Sequence, residues 1–317
     1  MMRAATASRI VACCAVIAVT LATSARADEL RFEHVLNIGL GSGEGEGSHV
    51  GDLAIGRDGR LLATDAAHGV VQVFDKATGT LVASFGGTGG PDSHLDRPAG
   101  ITVDPEGNIF VADGAAAVKK YDPAYRWLLS FATHQRDPGK AVTPQYMDVH
   151  DGRLYLTDAA SHHVEAYDLR GRLLLSLSGH GAALGWLDTP QAVKVGRDGR
   201  LYVTDRLNDR IAVFDRDGKV IQGWGWTGTE PGELSAPSGL ALDNEDNVYV
   251  ADSGNDRVQV FDRNGRLLAV WGGRGSGDGE FVDPHGIAVD RATGTIYVAD
   301  TGNNRIQVFR RAAIPKS

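Results

Sequence analysis

The chain has 317 residues with 32 basic against 40 acidic side chains, 41 glycines and only 2 cysteines. That acidic balance argues against a protein that tracks a phosphate backbone, and the cysteine count leaves no disulfide framework. High glycine and modest aromatic content, with no charge run, suit a turn-rich all-β chain better than a helical one.

The first 27 residues stand apart. Arg3 and Arg9 precede and flank an apolar run, Ile10 to Leu21, and Ala25-Arg26-Ala27 forms a small-x-small site. This reads as a secretory signal peptide cleaved after Ala27, because a membrane span needs about 20 apolar residues. Cleavage would remove both cysteines (Cys13 and Cys14) together with Arg3, Arg9 and Arg26. It leaves 29 basic residues against 40 acidic ones, a net charge of −11. The expected location is therefore secreted or periplasmic, with no membrane span after cleavage. A retained anchor is the alternative.

Beyond residue 28 the chain repeats with a period near 47 residues. The second apolar run of each unit ends in Thr-Asp or Ala-Asp, at Asp65, Asp113, Asp158, Asp205, Asp252 and Asp300. The third run ends in an aromatic residue, as in VQVFD, VKKYD, VEAYD, IAVFD, VQVFD and IQVFR, and a fourth run follows five of the six. Short β-branched runs separated by Asp, Gly and Asn are strands joined by tight turns. Six copies of four strands predict a six-bladed β-propeller of antiparallel blades, in which radial repetition avoids long open edges. The blades are expected near residues 50–86, 98–131, 144–178, 190–225, 237–272 and 284–309, within one domain spanning 28–311 and ahead of a 312–317 tail. The last copy stops after its third strand. Phe32 to Ile38 supplies an outer strand, so 31–38 should complete the sixth blade and close the ring.

The units resemble the NHL repeat. Pro284-His285-Gly286-Ile287-Ala288-Val289-Asp290, Tyr297-Val298-Ala299-Asp300 and Asn303-Asn304-Arg305-Ile306 carry the resemblance most closely, and the fifth copy repeats it as PSGLALD, VYVAD and NDRVQVF. The resemblance implies the fold well and the function poorly, since one fold hosts many functions.

Residues common to every blade are first read as structural. The glycines of the inter-blade loops, such as Gly272, Gly273, Gly275 and Gly277, read as turn residues. Leu95, Leu187, Leu234 and Phe281, three residues before a proline, should pin those loops. Arg210, Arg257 and Arg305 lie five residues after Asp205, Asp252 and Asp300. They either brace a hairpin by charge-assisted hydrogen bonds or form an arginine cluster offered to an anionic ligand. The turns between first and second strands should lie on the opposite face and carry no chemistry.

Positions where the copies differ are better candidates for function. The residue at the start of each innermost strand is Gly51, Ala99, Gln145, Gln191, Ser238 or His285. His68, His94, His134, His162, His163 and His180 fall in loops of the same face. Trp186 and Trp226 fall in glycine-rich loops, whereas Trp224 and Trp271 end strands and should pack in the core.

The sequence thus favours an exported, non-catalytic, monomeric scaffold without a cofactor. It would bind an extracytoplasmic protein, peptide or glycan, not nucleic acid, through His285, Arg305, Arg257, Arg210, His163 and Trp226. The alternative is a metal-dependent lyase or hydrolase at the propeller axis, holding Zn or Ca through His285 with His49 or His163 and nearby carboxylates. That reading is similar in fold to the peptidyl-hydroxyglycine lyase, but only one of six Pro-His positions matches. A third reading, an RNA-binding NHL propeller, is opposed by the net charge.

Overall fold

A computed structural model describes residues 30–39, 50–87, 90, 92–114, 116–134 and 142–312. The expected signal segment, His49 and the tail beyond residue 312 lie outside them. The described chain folds into six four-stranded antiparallel sheets. Each of the first five blades runs in sequence order from its innermost to its outermost strand. Blade 1 comprises Val50–Ile55, Leu61–Asp65, Val70–Phe74 and Leu81–Phe85. Blade 2 follows with Pro98–Val103, Ile109–Asp113, Ala117–Tyr121 and Trp127–Ala132. Blade 3 takes Pro144–His150, Arg153–Asp158, His163–Asp168 and Leu173–Leu177. In blade 4 the strands are Pro190–Val195, Leu201–Asp205, Arg210–Phe214 and Val220–Trp224. Blade 5 has Leu240–Leu242, Val248–Asp252, Arg257–Phe261 and Leu267–Gly272.

Blade 6 differs in its chain order. Pro284–Asp290, Thr295–Asp300 and Arg305–Arg311 supply three strands, and Phe32–Gly39 from the N-terminal end supplies the outermost. The clasp predicted from the truncated last copy is therefore present. Its register runs from Phe32 opposite Arg311 to Gly39 opposite Arg305, with a bulge between His34 and Leu36. The joining strand is anchored beyond its ladder. Ile38 is buried between blades 6 and 1, and Phe32 packs at a tilt against Trp271 of blade 5, with 4.2 Å between ring centroids.

Every second strand is buried along its length, apart from Arg153 at the start of the one in blade 3. Apolar side chains therefore face both neighbouring blades, and the core divides into clusters at the blade–blade interfaces. Hydroxyls add links between blades. Thr64, Thr157 and Thr204 each donate Oγ1 to the carbonyl of Ala99, Gln191 or Ser238 in the next blade, at 2.8 Å. Thr301 does the same for Val50 across the closure, also at 2.8 Å. Those carbonyls belong to the opening residues of the innermost strands, so the links fix the rim of the channel.

The four predicted pinning residues, Leu95, Leu187, Leu234 and Phe281, are fully buried. Gly272 shows why glycine ends an outer strand there: its φ is +98° and an added Cβ would lie 2.5 Å from the Phe281 ring. Gly286 serves a different need. A Cβ there would come within 2.7 Å of the Asp52 backbone, so the innermost strands of blades 6 and 1 can meet only without a side chain.

Candidate functional site

The inter-blade loops and the hairpins between second and third strands share one face, because both adjoin the N-terminal ends of the innermost strands. On that face the channel opens into a cavity of about 470 Å³ lined by Gly51, Ala99, Gln145, Gln191 and His285, together with Tyr146 and Arg97. Five of the six variable opening positions read from the sequence thus converge on one concave surface, the shape ligand sites favour.

Tyr146 closes the cavity from below. Its hydroxyl donates to the Gly51 carbonyl at 2.6 Å, bridging blade 3 to blade 1 across the channel. Burial, reinforced by the nearby Asp52 carboxylate, pushes the phenol well above its ordinary pKa, so it remains a neutral donor. Gln191 donates its amide to the Gln145 side-chain carbonyl at 2.8 Å. Each amide keeps a further polar group for a ligand. Arg206, just beyond the second strand of blade 4, donates to Ser238 Oγ at 2.6 Å.

His285 Nε2 lies 3.3 Å from Asp283 Oδ2. The imidazole, followed by the more distant Arg206 guanidinium, holds the Asp283 carboxyl below its usual range despite partial desolvation. When Nε2 carries the ring proton toward Asp283, Nδ1 is left as an acceptor. A histidine oriented by a carboxylate is the arrangement general acid–base chemistry uses.

The three arginines of the sequence reading are placed elsewhere. Arg257 donates Nε to Asp252 at 2.7 Å and its terminal nitrogens to the carbonyls of Thr229, Glu230 and Glu233. Arg305 repeats this with Asp300, Ser276, Gly277 and Glu280, and Arg210 with Asp205, Ala182, Ala183 and Trp186. Four of five donors are engaged in each case. Of the two readings, this geometry is the hairpin brace, with the aspartate partners themselves buried.

His163 does not line the mouth with His285; its Nδ1 contacts the Ser161 carbonyl. The metal set expected from His285 and His163 is therefore not assembled, and His49 lies outside the described residues. Among the described residues, the group able to bring three ligand atoms together is His162, His180 and Asp188, at the junction of blades 3 and 4. Trp226 is 75 % exposed and Trp186 52 %, both on loops of the mouth face, while Trp224 and Trp271 pack inward.

The opposite face holds more than turns. A second cavity of about 400 Å³ is lined by Asp148, His150, Lys194, Asp290 and Arg291 among others. The two cavities share no lining residue.

The six four-stranded blades define the chain as a six-bladed β-propeller, and its units are similar to the NHL repeat. The NHL repeat model matches residues 281–309, and the SMP-30/gluconolactonase/LRE-like region model matches residues 148–272. Among solved structures, a gluconolactonase from Xanthomonas campestris is similar, with TM-score 0.65, 18% identity, and coverage of 92% of this chain and 93% of that one. A streptogramin B lyase gives TM-score 0.61 and 14% identity over 89% of this chain and 98% of the other. Virginiamycin B lyase from Staphylococcus aureus gives 0.59 and 14% over 91% and 90%. At such identities the likeness is one of fold. No curated protein matches the sequence.

Proposed function

We propose that this is an exported binding propeller that takes a small polar group, such as a sugar ring or a peptide end, into the mouth-face cavity. The observation that carries the reading is the convergence of His285, Gln145, Gln191 and Tyr146, drawn from three blades, on one cavity of about 470 Å³. Two amides and an imidazole offer paired donors and acceptors to a neutral polar ligand. Exposed Trp226 and Trp186 could extend the contact for a longer glycan or peptide, since aromatic side chains dominate recognition surfaces. Export rests on the basic, apolar and small-residue order of residues 1–27.

The test is a thermal-shift panel of sugars, sugar acids and short peptides. At least one member should raise the melting temperature of the parent, and His285→Ala and Gln191→Ala should each abolish that rise. Stabilisation that survives both substitutions unchanged would remove the cavity from consideration.

A second reading, an enzyme at the same cavity, is favoured by the His285–Asp283 pair and the low-lying Asp283 carboxyl. The fold neighbours are named as a lyase and a gluconolactonase, which supports trying lactones first. In this reading His285 would move a proton at Nδ1 while Asp283 holds the ring. Turnover of glucono-1,5-lactone by the parent that vanishes in His285→Ala would favour it over binding alone.

A further inference from the structure

Three loops of the mouth face repeat one small device, and the copy between blades 3 and 4 departs from it. After the second strand, the hairpin ends in a residue with left-handed backbone: His162 (φ 60°), Asp209 (φ 49°) and Asp256 (φ 52°) in blades 3, 4 and 5. Each accepts a backbone N–H just ahead of the next innermost strand. Asp209 Oδ1 accepts from Ala236 at 2.7 Å, Asp256 Oδ1 from Asp283 at 2.8 Å, and His162 Nδ1 from Thr189 at 3.0 Å. The second oxygen of the two aspartates then takes a donor from the following inter-blade loop: Thr227 Oγ1 at 2.7 Å and Arg274 Nη1 at 3.1 Å.

The residue equivalent to Thr227 and Arg274 is His180, since all three open the same isolated bridge, to Leu234, Phe281 and Leu187 respectively. Blades 4 and 5 thus pair an acid with a donor. Blade 3 pairs two imidazoles, with ring centroids 4.2 Å apart. The carboxylate reappears one position after the bridge, at Asp188, where the next two loops have Ser235 and Val282. Asp188 Oδ1 lies 3.3 Å from His162 Nδ1, and Oδ2 lies 3.5 Å from His180 Nε2. The backbone is held from behind, with the Asp188 N–H donated to Asp205 Oδ1 at 2.6 Å. Thr189 Oγ1 donates to Asp188 Oδ1 at 3.1 Å.

We propose that His162, His180 and Asp188 form a binding site for a zinc-class divalent cation. The ligand set of two imidazole nitrogens and one carboxylate is one that Zn²⁺ accepts, leaving a fourth position for water. Zinc bonds of about 2.0–2.1 Å place neighbouring ligand atoms of a tetrahedron roughly 3.3 Å apart. His162 Nδ1 and Asp188 Oδ1 meet that spacing, and with one ligand atom from each residue the three lie within 4.8 Å of one another, so a turn of the solvent-exposed His180 ring closes the set. One divalent ion neutralises the carboxylate and occupies both nitrogens. Protonating both rings instead would set two cations side by side. Capture by His162 Nδ1 exchanges the Thr189 hydrogen bond for a coordinate bond. His180, 64% exposed at its side chain, leaves the site open to solvent, so the ion can arrive without unfolding the loops.

The site lies at the blade 3–4 junction and is independent of the ligand reading for the mouth. The test is titration of chelator-treated protein with ZnCl₂ against a chromogenic zinc indicator, with Co²⁺ substitution as a spectroscopic check. The parent should take up one equivalent, and Co²⁺ should give the intense visible bands of a four-coordinate site. His180→Ala and Asp188→Asn should weaken binding at least tenfold with the melting temperature of the metal-free protein unchanged within about 2 °C. His162→Asn, whose amide can still accept the Thr189 N–H, should weaken it as well. His150→Ala, on the opposite face, should bind as the parent does. No stoichiometric uptake by the parent, uptake that survives His180→Ala and Asp188→Asn, or equal loss in His150→Ala would overturn the proposal.

Discussion

Asp52 shows how one buried side chain of an innermost strand sets a pH dependence for the whole fold. It is 1% exposed, and its two oxygens accept the Leu53 and Ile101 N–H groups at 2.8 and 3.1 Å. Burial outweighs these bonds and the opposing Lys194 charge, lifting its pKa from 3.8 to about 6. A raised acid binds its proton more tightly in the folded chain. Its contribution to stability is therefore full below about pH 4 and is lost as pH rises through about 6. The shift corresponds to on the order of 3 kcal/mol. Urea melts of the parent and Asp52→Asn should show the stability difference, parent minus variant, falling by about that amount between pH 4 and 7. A difference that stays flat across this range would contradict it.

At the residue scale the sequence was informative where copies repeat and silent where they cooperate across blades. The bracing reading of Arg210, Arg257 and Arg305 was available from a constant five-residue spacing after a constant aspartate. Arg206 offered no such regularity, because its partner Ser238 is 32 residues away. Tyr146 was hidden for the same reason: it reaches back 95 residues to the Gly51 carbonyl. His162 and His180 were both visible as loop histidines. Their convergence on Asp188 depends on the left-handed backbone at residue 162 and on the bridge from His180 to Leu187, which a count of histidines does not reveal.

At the element scale the informative strand is Phe32–Gly39. Its burial alternates, as expected of an edge strand with one face covered, and Ile38 is its most deeply buried residue. It also pairs with a strand more than 260 residues later, so the stability of the last blade depends on both chain ends. Ile38→Ala should destabilise by about 2–4 kcal/mol, the cost of removing a buried branched side chain, read from the denaturation midpoint. A loss below about 0.5 kcal/mol would mean that the clasp contributes little. The strand was legible because the last copy stops one strand short. Its register, with the bulge between His34 and Leu36, was not, since a one-residue shift leaves the composition unchanged.

At the scale of the whole molecule, the ring creates two openings that no single repeat contains. The mouth face gathers Gln145, Gln191 and His285 around a cavity floored by Tyr146, and the far face gathers Asp148, Lys194 and Arg291 around another. Several residues lining the first are ones at which the repeats disagree, as expected when a shared scaffold carries a site at its variable positions. The most direct measurement is a crystal structure of the protein soaked with a ligand that raises its melting temperature. Ligand density in the mouth-face cavity, within hydrogen-bonding distance of His285 and at least one of Gln145 and Gln191, is the result predicted. Density confined to the Asp148–Lys194–Arg291 cavity, or to the outer surface of the blades, would contradict it.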